Sequence, residues 1–145
     1  MDRRNRLWIW LLIGALVFIW GNSLLPAETS GAISGWLHRL LTAISSGNGS
    51  GGDGRLRKIA HFTEFALLGA VLFRLFRNRG EKVLTVWLLS LACGFFAACT
   101  DELLQHFSPG RAPRFLDVCI DSAGVLTGTL LYLAAVLIRK SKTIK

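Results

Sequence analysis

The run LWIWLLIGALVFIWGNSLLPA at residues 7–27 contains no charged residue. A helix of 21 residues is long enough to cross a hydrocarbon core about 30 Å thick, at about 1.5 Å of rise per residue. Arg3, Arg4 and Arg6 precede the run, and Glu28 follows it. The run therefore predicts a membrane-spanning helix.

Two other interpretations of this apolar run fit less well. A cleaved signal peptide has a shorter apolar region that ends in a small-residue A-x-A site, and residues 25–28, LPAE, do not provide one. A core helix of a soluble domain is disfavoured because 52% of the chain is hydrophobic and the mean hydropathy is +0.46. The same composition excludes a disordered, collagen-like or coiled-coil chain.

Three further segments have the length and composition of spanning helices. Uncharged runs cover residues 83–100 and 122–138. The segment 59–73 is interrupted by His61 and Glu64, which a spanning helix tolerates when they face other helices. We therefore predict one all-α, membrane-embedded domain over residues 1–145, a bundle of four helices with spans near 7–25, 59–77, 83–105 and 115–138.

Positive charge indicates the orientation of the bundle, because short cytoplasmic loops retain Lys and Arg. With four spans, the amino terminus, the loop after the second span and the carboxyl terminus share one side. That side carries eleven of the 17 basic residues. We therefore expect a multi-pass protein with both termini cytoplasmic. Since orientation explains the net charge of +8, we expect no nucleic-acid partner.

The segment between the first two spans has two parts. Ile33, Trp36, Leu37, Leu40, Leu41 and Ile44 recur at the spacing of one helical face. This pattern predicts an interfacial helix over residues 30–45 on the outer side. The glycine-rich stretch 45–54 then predicts a flexible linker.

Polar residues collect at the predicted outer ends of the second, third and fourth spans, where ionised groups are costly. The acidic residues there are Glu64, Asp101, Glu102, Asp117 and Asp121. The basic and amide residues that accompany them are Lys58, His61, Gln105, Arg111 and Arg114. We predict that these side chains line one ligand-binding pocket.

One stripe of the last helix combines acids with glycines. Asp117 and Asp121 are four residues apart, and Gly124 and Gly128 continue the same stripe. The two glycines form a G-x-x-x-G pair, which allows another helix to approach closely. We expect such a contact directly below the two aspartates.

Asp101 and Glu102 are adjacent, so on a helix they point about 100° apart and face different partners. We expect one of them to pair inside the bundle with Lys58, Arg111 or Arg114, and the other to meet solvent or ligand. A purely structural ion-pair network is the alternative interpretation of these charges.

The connection between the third and fourth helices indicates an anion site. Ser108, Pro109 and Gly110 form a turn signal, and Arg111 and Arg114 follow it where the last helix begins. A helix amino terminus beside two arginines attracts anions. We expect Arg111 and Arg114 to contact a bound anion.

These motifs resemble those of the VanZ-like family of small bacterial membrane proteins. The resemblance rests on the segment KIAHF at residues 58–62 and on the ordered pattern D-E-x-x-Q-x-F-x-P-G-R-x5-D-x6-G-x3-G, which runs from Asp101 to Gly128. It maps these residues onto the family's characteristic polar positions: Lys58, His61, Asp101, Glu102, Gln105, Arg111 and Asp117. Two positions depart from the pattern, because many relatives have Asn at the position of Asp121 and Tyr at that of Phe65.

The resemblance implies a bacterial cytoplasmic membrane protein. The family is named for a member associated with low-level resistance to lipoglycopeptide antibiotics such as teicoplanin. Together with the anion-site residues, it favours a pocket that faces outward and binds the anionic headgroup of an envelope lipid or lipid-linked cell-wall precursor.

Two other classes of function stay open. An enzyme would use His61, Asp101 or Glu102 in acid–base chemistry on a lipid headgroup. A non-catalytic interaction protein would use the interfacial helix to contact another envelope protein. The oligomeric state is open as well.

A metal site is the last alternative. His61 and Glu64 are three residues apart and carboxylates are near, but the doubled Glu-x-x-His of di-iron bundles is missing. We expect no metal and no other cofactor.

Overall fold

The computed structural model describes residues 3–26, 29, 53–77 and 81–143. These ranges form four α-helices and contain no strand. The helices are α1 (Arg3–Ser23), α2 (Asp53–Arg77), α3 (Val83–His106) and α4 (Phe115–Thr143). The all-α architecture predicted from the sequence is confirmed.

Each helix contains a segment long and apolar enough to cross a membrane. These segments are Asn5–Ser23, Arg57–Arg77, Val83–His106 and Phe115–Arg139. The largest difference from the predicted boundaries is at α2, which begins at Asp53 rather than near residue 59. Residues 53 and 54 of the predicted linker therefore belong to this helix. The predicted interfacial helix at 30–45 and residues 45–52 of the predicted linker lie outside the described residues.

The helices alternate in direction. Contacts of Gly124 with Phe62 and of Gly128 with Ala66 show that α2 and α4 run parallel. The Trp20 indole donates a hydrogen bond to the carbonyl of Ala97 at 3.4 Å, which places α1 against α3. One end of the bundle is therefore formed by the ends of α1 and α3 and the beginnings of α2 and α4. We call it the polar end, and the beginning of α1 and the end of α4 lie at the opposite end.

Below the polar end, α2 and α4 touch through glycines. A Cβ atom on Gly124 would overlap the carbonyl oxygen of Phe62, and one on Gly128 would overlap that of Ala66. From the other helix, a Cβ on Gly69 would overlap the carbonyl oxygen of Val125. We call this arrangement the glycine contact. It confirms the close approach predicted from the G-x-x-x-G pair and fixes the spacing of α2 and α4 just below the polar residues.

Large apolar side chains occur both in the core and on the outer surface of the bundle. Buried residues such as Phe65, Leu68 and Val125 form the core, whereas Phe96 and Leu131 are exposed on the outside. An apolar exterior is what a bilayer requires, because lipid tails solvate Leu and Phe as well as a protein core does.

Candidate functional site

Three ionisable side chains from three helices meet inside the polar end. His61 of α2, Asp101 of α3 and Asp121 of α4 are 7%, 0% and 2% exposed. One ligand-type atom of each lies within 4.8 Å of the others. The His61 Nδ1 atom is 3.9 Å from Asp101 Oδ2 and 3.9 Å from Glu64 Oε2. We call His61, Asp101 and Asp121 the buried cluster.

The buried cluster has polar atoms without hydrogen-bond partners. Both ring nitrogens of His61, one carboxylate oxygen of Asp101 and one of Asp121 are buried and unpartnered. Glu64, beside His61, also has an unpartnered buried oxygen. Buried polar groups in proteins are nearly always hydrogen-bonded, so such a concentration in one place calls for a functional explanation.

Asp101 is held in place by α1 as well as by its own helix. The Gln105 amide donates to Asp101 Oδ2 at 2.8 Å and, at 3.4 Å, to the hydroxyl of Ser23. Ser23 is completely buried, yet it was not among the predicted site residues. The pair Asn22 and Ser23, at the end of an otherwise apolar run, is the sequence signal that would have identified it.

Glu102 points toward α4 and not toward the buried cluster. Its Oε2 atom accepts a hydrogen bond of 2.7 Å from the backbone N–H of Arg114, immediately before α4 begins. A carboxylate is favourable there because the amino terminus of a helix carries partial positive charge. The protein's own carboxylate thus occupies the helix amino terminus at which we expected an external anion.

We expected one of Asp101 and Glu102 to meet solvent or ligand; neither meets solvent, because both are buried. The angle of about 100° between neighbouring helical residues sends them to different partners. Both partners belong to the protein: α1 and α2 surround Asp101, and the start of α4 covers Glu102.

The turn between α3 and α4 is tied to the end of α1. Gly110 has a φ of 76°, a left-handed conformation that favours glycine. The Ser108 hydroxyl donates to the carbonyl of Ser23 at 2.7 Å. Arg111 Nη2 donates to the carbonyl of Asn22 at 3.3 Å. These bonds hold the Arg111 guanidinium at the rim of the polar end.

Arg111 is half-buried and retains free donors. Its Nε and Nη1 atoms are buried and without hydrogen-bond partners. Burial lowers the pKa of Arg111, and the nearby positive charge of Arg57 lowers it further. An arginine remains protonated in proteins despite such shifts. The turn therefore presents a desolvated positive charge next to a second one.

A small pocket of about 10 Å³, room for about one water molecule, lies between the beginnings of α2 and α4. One wall is basic, with Arg57 and Lys58, and the facing wall is acidic, with Asp117 and Asp121. Lys58 Nζ lies 3.8 Å from Asp117 Oδ1, and the Lys58 side chain is 43% exposed. An exposed pair at this distance is weak, so a ligand can displace it at little cost.

The structure thus gathers the predicted residues at one end of the bundle but in different environments. Arg114 contributes its backbone N–H, while the residue itself is exposed. Lys58, Asp117 and Arg111 lie at the rim. Deeper in the bundle are His61, Glu64, Asp101, Gln105 and Asp121. Arg57, which lines the pocket, was not among the predicted site residues.

Comparison with known proteins agrees with this arrangement. The family model described as VanZ/LLP1 matches residues 7–139, which is nearly the whole chain. The chain belongs to the VanZ/LLP1 family. No curated protein and no solved structure matches it. The matched region includes three spans completely, the first span from residue 7 onward, and every residue of the polar end described above. In this VanZ/LLP1 protein the site is therefore part of the family domain.

Proposed function

We propose that the polar pocket binds the anionic headgroup of an envelope lipid or a lipid-linked cell-wall precursor. Arg111 lies at the rim of the polar end, beside the pocket-lining residue Arg57. It is the observation that carries the proposal, because its Nε and Nη1 donors are buried and unpartnered. Two N–H groups of one guanidinium match two oxygens of a phosphate, which gives a strong and directional contact. Desolvated donors of this kind gain more from an anion than exposed ones do.

The charges around Arg111 support the same ligand. Arg57 is close enough to oppose the charge of Arg111, so a phosphate between them relieves repulsion. Lys58 adds a third positive charge once it leaves its loose pairing with Asp117. Glu102 and Gln105 hold the turn and the end of α3 by hydrogen bonds, which keeps the basic groups in position before the ligand arrives.

The position of the pocket also suits a lipid. It lies near the ends of the spans, and farther along the bundle α2 and α4 present apolar side chains such as Leu67 and Leu131 to the outside. A lipid can therefore place its phosphate in the pocket while its acyl chains stay in the bilayer.

The distribution of Lys and Arg supports an orientation with both termini in the cytoplasm and the polar end outside. A variant with its three cysteines replaced tests this. We expect Ala112→Cys, in the exposed turn, to react with a membrane-impermeant thiol reagent on intact cells, and Lys82→Cys, at the opposite end, to react only after lysis. The reverse pattern would place the pocket on the cytoplasmic side.

Lipid retention tests the binding itself. Native mass spectrometry of the purified wild type should show bound anionic lipid, and Arg111→Ala should retain about tenfold less, because two charge-assisted hydrogen bonds are lost. Arg77→Ala, at the opposite end of α2, is the matched control and should retain lipid like the wild type. Equal retention by Arg111→Ala and the wild type would refute the proposal.

The same pocket extends the proposal to glycopeptide resistance. A protein that holds lipid-linked precursors at the outer surface changes how they are presented to an antibiotic that acts there. Teicoplanin susceptibility of cells with Arg111→Ala, compared with cells carrying the Arg77→Ala control, would connect the pocket to this role.

A catalytic role is the second candidate, and one observation favours it. His61 has two unpartnered ring nitrogens and lies 3.9 Å from the carboxylate of Asp101, which is the arrangement of a general base and the group that orients it. Under this alternative the purified protein converts a bound lipid, and Asp101→Asn retains binding but abolishes turnover.

A further inference from the structure

The buried cluster lies deeper than Arg57, Lys58 and Arg111, the proposed headgroup contacts, although His61 and Asp121 also line the pocket. All three side chains are more than nine-tenths buried, with one ligand-type atom of each within 4.8 Å of the others. The unpartnered Nδ1 atom of His61 faces Asp101 Oδ2 at 3.9 Å. We propose that His61, Asp101 and Asp121 bind a divalent transition-metal ion such as Mn²⁺ or Zn²⁺. This revises the expectation drawn from the sequence that the protein has no metal.

The distances are close to those of a metal site. The three ligand-type atoms lie within 4.8 Å of one another. Ligands bound to one ion at about 2.1 Å are at most about 4.2 Å apart. Small side-chain rotations therefore bring the three atoms into coordination without moving a helix.

The charges of the buried cluster also favour a cation. Asp101 receives a hydrogen bond from the neutral amide of Gln105, and the neighbouring basic side chains have other contacts. Lys58 is 3.8 Å from Asp117, and Arg111 is bonded to the carbonyl of Asn22. Two carboxylates buried together are costly unless a positive charge lies between them.

The ligand atoms of the buried cluster indicate which divalent ions fit the site. One imidazole nitrogen with carboxylate oxygens suits Mn²⁺ and Zn²⁺ better than Mg²⁺ or Ca²⁺, which prefer oxygen alone. Glu64 Oε2, 3.9 Å from the same His61 nitrogen, can supply a fourth ligand. The missing doubled Glu-x-x-His does not matter for a site of one ion, because that motif serves two.

Surrounding contacts hold the ligands in place. Gln105 donates a hydrogen bond to Asp101 Oδ2, the oxygen that faces His61, and hydrogen bonds of this kind orient a metal-binding carboxylate. The glycine contact fixes α2 against α4 one turn below His61 and Asp121. His61 and Asp121 also line the pocket, so an ion has a path of entry.

Metal titration of the purified full-length chain tests the proposal. Protein without a polyhistidine tag is stripped with EDTA, desalted and titrated with MnCl₂ and with ZnCl₂ by calorimetry. We expect about one ion per chain and a higher unfolding temperature in its presence. Electron paramagnetic resonance should show the disappearance of free Mn²⁺ over the same range of concentration.

Variants locate the ion. Asp121→Asn and His61→Gln should each weaken binding by about 100-fold or more, because each loses a direct ligand. His106→Gln, which replaces an exposed histidine, should bind the ion like the wild type. Stripped wild type that is folded but binds neither ion would overturn the proposal, as would binding that survives Asp121→Asn and is lost in His106→Gln.

The result of the metal-binding experiment does not depend on the result of the lipid-retention experiment. Arg111→Ala removes a headgroup contact but no metal ligand, so it should lose lipid and keep the ion. Failure of the lipid experiment together with success of the metal experiment would leave the ion site standing alone. A bound ion would also occupy His61 and so exclude it as the general base of the catalytic alternative.

Discussion

The glycine contact and the buried cluster lie next to each other along α2 and α4, but they differ in how well their atoms are packed and hydrogen-bonded. At the glycine contact, backbone lies on backbone, and even one methyl group would not fit. At the buried cluster, one turn away, charged and polar atoms are enclosed without partners. The first level stabilises the bundle, and the second costs stability. A folded protein retains such a cost where the groups serve a ligand.

The largest effect on stability is expected from a substitution that disrupts the glycine contact. Gly128→Ala would place a Cβ against the backbone of Ala66, which cannot rotate away as a side chain would. We expect a loss of about 3 kcal/mol in the free energy of unfolding, at the upper end of the overpacking range. The midpoint of thermal unfolding in detergent measures it.

Gly14→Ala is the matched control, since a Cβ on Gly14 of α1 meets no atom within 4 Å. In open space this substitution raises helix propensity by about 1 kcal/mol. The two glycine variants should therefore shift the midpoint in opposite directions. Equal shifts would mean that α2 and α4 do not touch as described.

An effect of intermediate size is expected at the buried cluster, where in the absence of metal a substitution should raise stability rather than lower it as Gly128→Ala does. In EDTA, Asp121→Asn should be more stable than the wild type by about 1 kcal/mol, because a carboxyl that is costly to ionise beside Asp101 is replaced by a neutral amide. Addition of Mn²⁺ should reverse the order, since only the wild type keeps the complete set of ligands. Chemical unfolding with and without the ion measures both values.

The smallest effect on stability is expected at Asp117, one helical turn before Asp121 on the same stripe of α4. Asp117 lies in the first turn of α4 and faces the partly exposed Lys58. Asp117→Asn should lower stability by about 0.5 kcal/mol, through the loss of a favourable charge at a helix amino terminus. If the two Asp→Asn variants changed stability in the same direction, the distinction between rim and buried cluster would be wrong.

Much of the fold could be predicted from the chain alone. The spans at 83–105 and 115–138 differ from the helices only at their carboxyl ends, because the length of an apolar run is a local property. The glycine pair at 124 and 128 was also identified in advance, since a small residue at this spacing has few uses other than close approach. The start of α2 at Asp53 was missed because its first turns are polar.

The candidate site was predicted in composition but not in detail. Its members share one end because the spans alternate in direction, and the sequence shows this. The sequence did not show that Glu102 bonds the backbone of Arg114, that both neighbours 101 and 102 are buried, or that Ser23 of α1 takes part. Each of these facts depends on how a helix is rotated about its axis.

The sequence by itself determined the family, the four spans and the level at which charged residues gather, because these follow from composition along the chain. Only the tertiary structure decided which side of each helix faces the interior. In water the apolar stripe of a helix would show this, but in a bilayer the exposed Phe96 is as apolar as the buried Val86 of the same helix. The rotation of the helices that joins His61, Asp101 and Asp121 therefore follows from packing, in which the glycine contact sets how closely α2 and α4 approach.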